Sequence, residues 1–233
     1  AGLDAGVTLN DTYTQMAQTG SMLNAANNQL SHYPSRPSGM SDELYELGYS
    51  GTSSSNIAMT SWRSSLLKSL MMWMDDSDSS NIDRLGHRRW ILNPTMQQTG
   101  FGYAVSNSGA AYSSVYVFDY DYHNTDVTGV AWPATEMPKR YFESSSAWSY
   151  SYGSSLNGNV SVKLQCLTTG RERTWNFSSA ASDGYFNVDN GGYGQKGCVI
   201  FKPDSISIQA GENYEVTITQ DGTVIADYTV HFF

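Results

Sequence analysis

Two histidines are the residues best placed to do chemistry. His32 directly follows an amphipathic stretch, in LSHYPSRP, and His87 sits in GHRRWILNP, after the acidic run DDSDSSNIDR. Imidazole is the side chain that titrates near neutrality and the commonest metal ligand, so the pair suits proton transfer or a weakly held, zinc-like divalent ion. A metal site also wants a third ligand, typically a carboxylate, and the spacing supplies none unambiguously. One histidine at a helix end is ordinarily structural; two, each beside Gly or Ser, point to a cleft. Nearby, Asp75, Asp76 and Asp78 follow an apolar helix. Asp76-x-Asp78-x-Ser80 begins like a calcium loop, but Gly at the sixth position and Glu at the twelfth are missing. A solvated turn, or aspartates capping Asn81–His87, is the expectation.

The elements that must position these residues come first as a periodic segment from Asp11 to about Ser31. Met16, Gly20, Leu23, Asn27 and Leu30 fall on one helical face, with Asp11 or Thr12 as cap. Pro34 and Pro37 end it. A short helix is expected over Ser41–Leu47, capped by Ser41 and closed by Gly48, and then a Ser/Gly loop over Tyr49–Ser55. SSLLKSLMMWM, Ser64–Met74, is apolar on most faces and predicts a largely buried helix. Arg84–Leu92 adds a helical turn. GFGYAV and SSVYVFDYDY read as paired strands about an Asn107-Ser108-Gly109 turn. Past Asp126 helical periodicity stops, and NVSVKLQCL, RTWNFS, YFNVD, CVIFK, SISIQA, YEVTITQ and IADYTVHFF read as strands of a sandwich.

Bulk composition narrows the function. Charged residues are 15% of the 233, below the roughly 25% of ordinary soluble domains. A net charge of −9 with 13 Lys+Arg argues against a nucleic-acid partner and against anionic membranes. No apolar run reaches the roughly 20 residues of a membrane span. The first residues, AGLDAGVTLND, lack signal-peptide features, so any such peptide is removed or lies upstream. Cys166 and Cys198 read either as a disulfide, contributing about 3–4 kcal/mol, or as two buried thiols.

The ordered set LSHYP (Leu30–Pro34), ELGY (Glu46–Tyr49), SNIA (Ser55–Ala58), MWM (Met72–Met74), GHRRWILNP (Gly86–Pro94) and GFGYA (Gly100–Ala104) resembles the bacterial CAP superfamily of cysteine-rich secretory, antigen 5 and pathogenesis-related proteins. The resemblance covers roughly residues 5–125. It implies an α-β-α sandwich with a cleft lined by two histidines and two acidic residues, and it matches His32 and His87 to the histidines. The first glutamate falls at Ser55, beside Asn56. The second, counted two residues back from Trp73, falls at Met71. Both carboxylates are therefore absent at the matched positions. The family's first helix also precedes the loop AGLDAGVTL, and its absence would expose an apolar face unless a partner covers it.

The expected fold class is α+β: a CAP-like α-β-α sandwich over residues 1–126, then an all-β, immunoglobulin-like sandwich over 127–233 that includes an entry linker. The expected function is that of an extracellular binding or interaction module whose cleft is lined by His32, His87, Ser55, Asn56, Met71, Asp75 and Asp78. Its partner would be an unidentified extracellular ligand or protein. A divalent ion, if held, would rest on His32 and His87. The alternative is an extracellular hydrolase of peptide or cell-wall material, using Asp75 or Asp78 as the carboxylate or Ser55 as a nucleophile. A third reading is a structural surface domain whose cleft is filled by Met71 and Tyr33.

Overall fold

The computed structural model describes residues 1–3, 6–119, 127, 129–175 and 184–233. The chain divides into two compact units that interleave in sequence. One holds Asp4–Met74 and Thr95–Thr125; the other holds Ala1–Leu3, Asp75–Pro94 and Asp126–Phe233.

In the first unit, a two-residue strand β1 (Thr8–Leu9) leads into helix α1 (Asp11–Asn27). The cap is Asn10, one residue earlier than expected, whose Oδ1 accepts from the Tyr13 amide at 3.0 Å. The helix ends through Asn28 in the left-handed conformation, φ 48°, before either proline is reached. Its buried face combines the small residues Ala17, Thr19, Gly20, Ser21 and Ala25 with Leu23 and Asn24. Such a face permits very close packing.

Helix α2 (Asp42–Ser53) is capped by Ser41 as expected, but it runs through Gly48 and absorbs most of the predicted loop. The reason is packing. A Cβ on Gly51 would lie 1.9 Å from the Met16 carbonyl oxygen, and one on Gly48 would lie 2.6 Å from Leu23 Cδ1. These glycines admit the neighbouring helix rather than end their own.

Strand β2 (Ser55–Thr60) follows, then α3 (Leu66–Asp75), whose last residue belongs to the second unit. Beyond it in sequence come β3 (Gln98–Thr99), β4 (Phe101–Val105) and β5 (Ala111–Tyr116). The last two form the expected hairpin, with Gly109 at φ 88° in its turn. Strands β2, β5 and β4 make an antiparallel sheet in that order, Ser55 opposite Tyr116 and Phe101 opposite Val115, while β1 pairs with β3 in parallel. Helix α1 lies on β4 so closely that a Cβ on Gly102 would meet the Ala17 carbonyl oxygen at 2.1 Å. The expectation of a largely buried third helix is corrected. Only Ser69 and Trp73 of α3 are buried, held by Ser69 Oγ donating to Ser113 Oγ at 2.9 Å and Trp73 Nε1 donating to the Ile57 carbonyl at 3.2 Å. Leu67 and Met72 are exposed.

The second unit carries helix α4 (Gly86–Ile91) and strands β6 (Val130–Trp132), β7 (Glu136–Met137), β8 (Trp148–Ser151), β9 (Val160–Cys166), β10 (Glu172–Trp175), β11 (Gly184–Asp189), β12 (Cys198–Pro203), β13 (Asn213–Gln220) and β14 (Thr223–Phe232). They form two sheets, ordered β10-β9-β13-β14-β7 and β11-β12-β8-β6. Alternating residues of both inner faces, among them Val162, Leu164, Val216, Ile218 and Val230 on one side and Phe186, Val199 and Phe201 on the other, share one core. Trp148 sits at its centre, with the rings of Phe142, Phe201, Tyr214 and Phe232 all 5.6–5.9 Å from its own. This is a β-sandwich in the sense of two sheets burying a common apolar layer. SISIQA does not form a strand; Ile208 is buried from a loop instead. Only part of RTWNFS lies within the described residues. Cys166 and Cys198 are both buried free thiols, which settles the two alternatives in favour of the thiols. Among the described residues no helix is long and apolar enough to cross a membrane.

Candidate functional site

His32 lies in the first unit and His87 in the second. The bend after α1 brings His32 to the end of α2. Its Nδ1 donates to the Thr52 carbonyl at 2.8 Å, and Thr52 Oγ1 donates back to the His32 carbonyl at 2.9 Å. Because a carbonyl only accepts, the neutral ring carries its proton on Nδ1 and its lone pair on Nε2.

His87 is held more tightly. It stands at the start of α4, where Leu85 occupies the cap position at φ 49° with no capping side chain of its own. Asp76 takes over that role from eleven residues upstream. One carboxylate oxygen accepts the amides of His87 at 2.9 Å and Arg88 at 3.3 Å; the other accepts from His87 Nδ1 at 2.8 Å. An acceptor at a helix N-terminus is favourable for both the orphan amides and the helix dipole. The same carboxylate thereby fixes ring direction and tautomer, again leaving the lone pair of the neutral ring on Nε2. Asp76 is buried, and the His87 side chain is 28% exposed. The arrangement is an imidazole with an orienting carboxylate, partly open to solvent.

The other residues singled out in the sequence have different fates. Asp75 accepts from Ser146 Oγ. Asp78 closes its own turn, accepting from the Ser80 amide at 2.9 Å and from Asn81 Nδ2 at 2.8 Å. Bonds from the Asn81 and Ser80 side chains hold the Asp78 carboxyl below its ordinary range. Thus the structure pairs neither Asp75 nor Asp78 with His87; the carboxylate on that ring is Asp76, named in the acidic run and among the expected capping aspartates but not among the cleft residues. Ser55 opens β2 and is buried, with no hydrogen-bond partner for Oγ among the described residues. Asn56 is buried in the same strand. Met71 is 38% exposed and Tyr33 71% exposed, so neither is a buried plug. Among the described residues no group of three His, Cys, Asp or Glu gathers to hold a metal ion.

A model of the CAP, or cysteine-rich secretory protein, family matches residues 1–120 of the 233. The match spans His32, Asp76 and His87 together, and the chain belongs to this family. No curated protein matches the chain.

Proposed function

We propose that the protein is an extracellular binding module of the CAP family, in which His87, oriented by Asp76, contacts the ligand. The carrying observation is the double use of the Asp76 carboxylate, which spends one oxygen on the backbone and one on the ring of the same histidine. An imidazole held this way keeps its neutral-form lone pair on Nε2, the atom that would accept from a ligand donor. Binding is favoured over covalent catalysis because Ser55, the candidate nucleophile, is buried with no hydrogen-bond partner for Oγ among the described residues. Family membership supports an extracellular setting, and the two packed sheets of the second unit support an appended, immunoglobulin-like sandwich.

The His87–Asp76 pair also favours a second reading, a hydrolase of cell-wall or peptide material in which His87 acts as general base on water. One experiment separates the two. Soluble peptidoglycan fragments are titrated into the full chain while the His87 ring signals and the release of new reducing ends or amines are followed. Ring shifts without products support binding. Products that disappear in His87→Ala support the hydrolase, and an unperturbed ring contradicts both.

The imidazoles fit a divalent ion as far as their Nδ1 atoms are already engaged by acceptors, as in metal-ligating histidines. Each imidazole, taken by itself, would then offer Nε2 to the ion and leave water to fill the remaining positions.

A further inference from the structure

The pair depends on a backbone that would not adopt its shape unaided. Asp76 has φ 46°, the left-handed region that side chains avoid. It is held there from both sides by a segment of the β-sandwich. Ser146 Oγ donates to the Asp75 carboxylate, and the Ala147 amide donates to Ser77 Oγ at 2.9 Å. Arg88 completes the frame. Its side chain is fully buried, with Nη1 donating to the Ala147 carbonyl at 2.8 Å and Ser149 Oγ at 3.1 Å, while Nη2 donates to the Asp75 carbonyl. Every one of these groups lies in the same unit.

We propose that Ser146–Ser149 of the sandwich is the platform on which the His87–Asp76 pair is built, and that Arg88 is a positioning residue for it. Arg88 acts through the Asp75–Ser77 turn and need not touch ligand. A guanidinium suits the task because its planar fork reaches three acceptors at once, where an ammonium on a flexible stem would hold fewer in place. Arg89 reinforces the attachment of α4, donating to Asp189, to the Gly191 carbonyl at 2.6 Å and to the Gln195 carbonyl. The sandwich is then a working part of the histidine site rather than a separate passenger. The inference rests on the reading of His87 and Asp76 as the working pair.

The test is the ring spectrum of His87 in the full chain, for wild type, Arg88→Lys, Arg88→Met and the double variant Ser77→Ala/Ser146→Ala, with thermal melts run alongside. The wild type should show a single tautomer with a slowly exchanging Nδ1 proton. In the serine double variant, still folded, that proton should exchange at least about tenfold faster as the local structure opens more readily. Arg88→Met should lose the single tautomer, and Arg88→Lys should restore it in part. Folded variants whose His87 signals match wild type would overturn the proposal. If Arg88→Met fails to fold, the serine variant decides alone. A wild type lacking the Nδ1 tautomer would instead remove the underlying reading of the pair.

Discussion

Asp76 binds His87 twice, through the ring Nδ1 at 2.8 Å and through the backbone amide at 2.9 Å. One side chain therefore caps a helix and orients a base, so the two roles fail together. Asp76→Asn keeps an acceptor but removes the charge that strengthens both bonds. It should cost about 1–3 kcal/mol, the range of a lost cap together with a weakened charged hydrogen bond. Urea unfolding checks this, and an unchanged midpoint would show that the contacts carry no stability.

The backbone-to-backbone packing of α1 gives a sharper structural prediction. Gly51→Ala drives a Cβ into the Met16 carbonyl, an atom that cannot rotate away. The helices must separate, with an expected loss of about 2–3 kcal/mol or more. Gly6→Ala, where nothing lies within 4 Å, serves as the control and should stay within about 0.5 kcal/mol of wild type.

Buried hydroxyls and a thiol set the alkaline behaviour. Burial raises Tyr228, and burial with the hydrogen bond to Glu212 raises Tyr214, above the usual phenol range; burial also raises Cys198. These acids keep their protons in the folded chain at pH values where the unfolded chain has released them. The unfolded state then binds fewer protons, so stability falls as pH rises from about 9 through 10 and beyond. Arg88, pulled down to about 10 by burial against the opposing charges of Asp76, Cys198 and Asp75, acts the other way above that pH. Three acids outweigh one base, so the urea midpoint should drop between about pH 8 and 11, and Tyr228→Phe should lessen the drop. A flat profile would contradict the burial argument.

Zinc offers a direct check on the coordination reading. Weak binding heat is expected for the full chain, and His32→Ala/His87→Ala should abolish it. Equal heats for the two proteins would remove metal uptake through these imidazoles.

Much of the fold was legible because the signals are local. Ser41 as cap, the Asn107–Gly109 hairpin and the change from helical to strand patterning near Asp126 depend on neighbours in sequence. Gly48 misled because a glycine that ends a helix and one that admits another helix look alike until the partner is known. Leu67 and Met72 misled in the opposite way, since apolar content alone does not say which face is covered. The segments that carry His32 and His87 were legible as ordered motifs, and the family match spans both. Asp76 was not, although it stands three residues after Trp73. No periodicity links positions 76 and 87. Their pairing depends on a left-handed residue and on Ser146, Ala147 and Arg88, contacts up to about seventy residues apart that the sequence pattern does not announce.

On the proposed function, Asp76 fixes His87 as an Nδ1-protonated imidazole whose Nε2 meets the ligand. The most direct test is the ring-nitrogen spectrum of His87 near neutral pH, in wild type and in Asp76→Asn. The account predicts a single Nδ1–H tautomer in wild type that gives way to a mixture in the variant. A wild-type ring protonated mainly on Nε2, or a spectrum that the variant leaves unchanged, would contradict it.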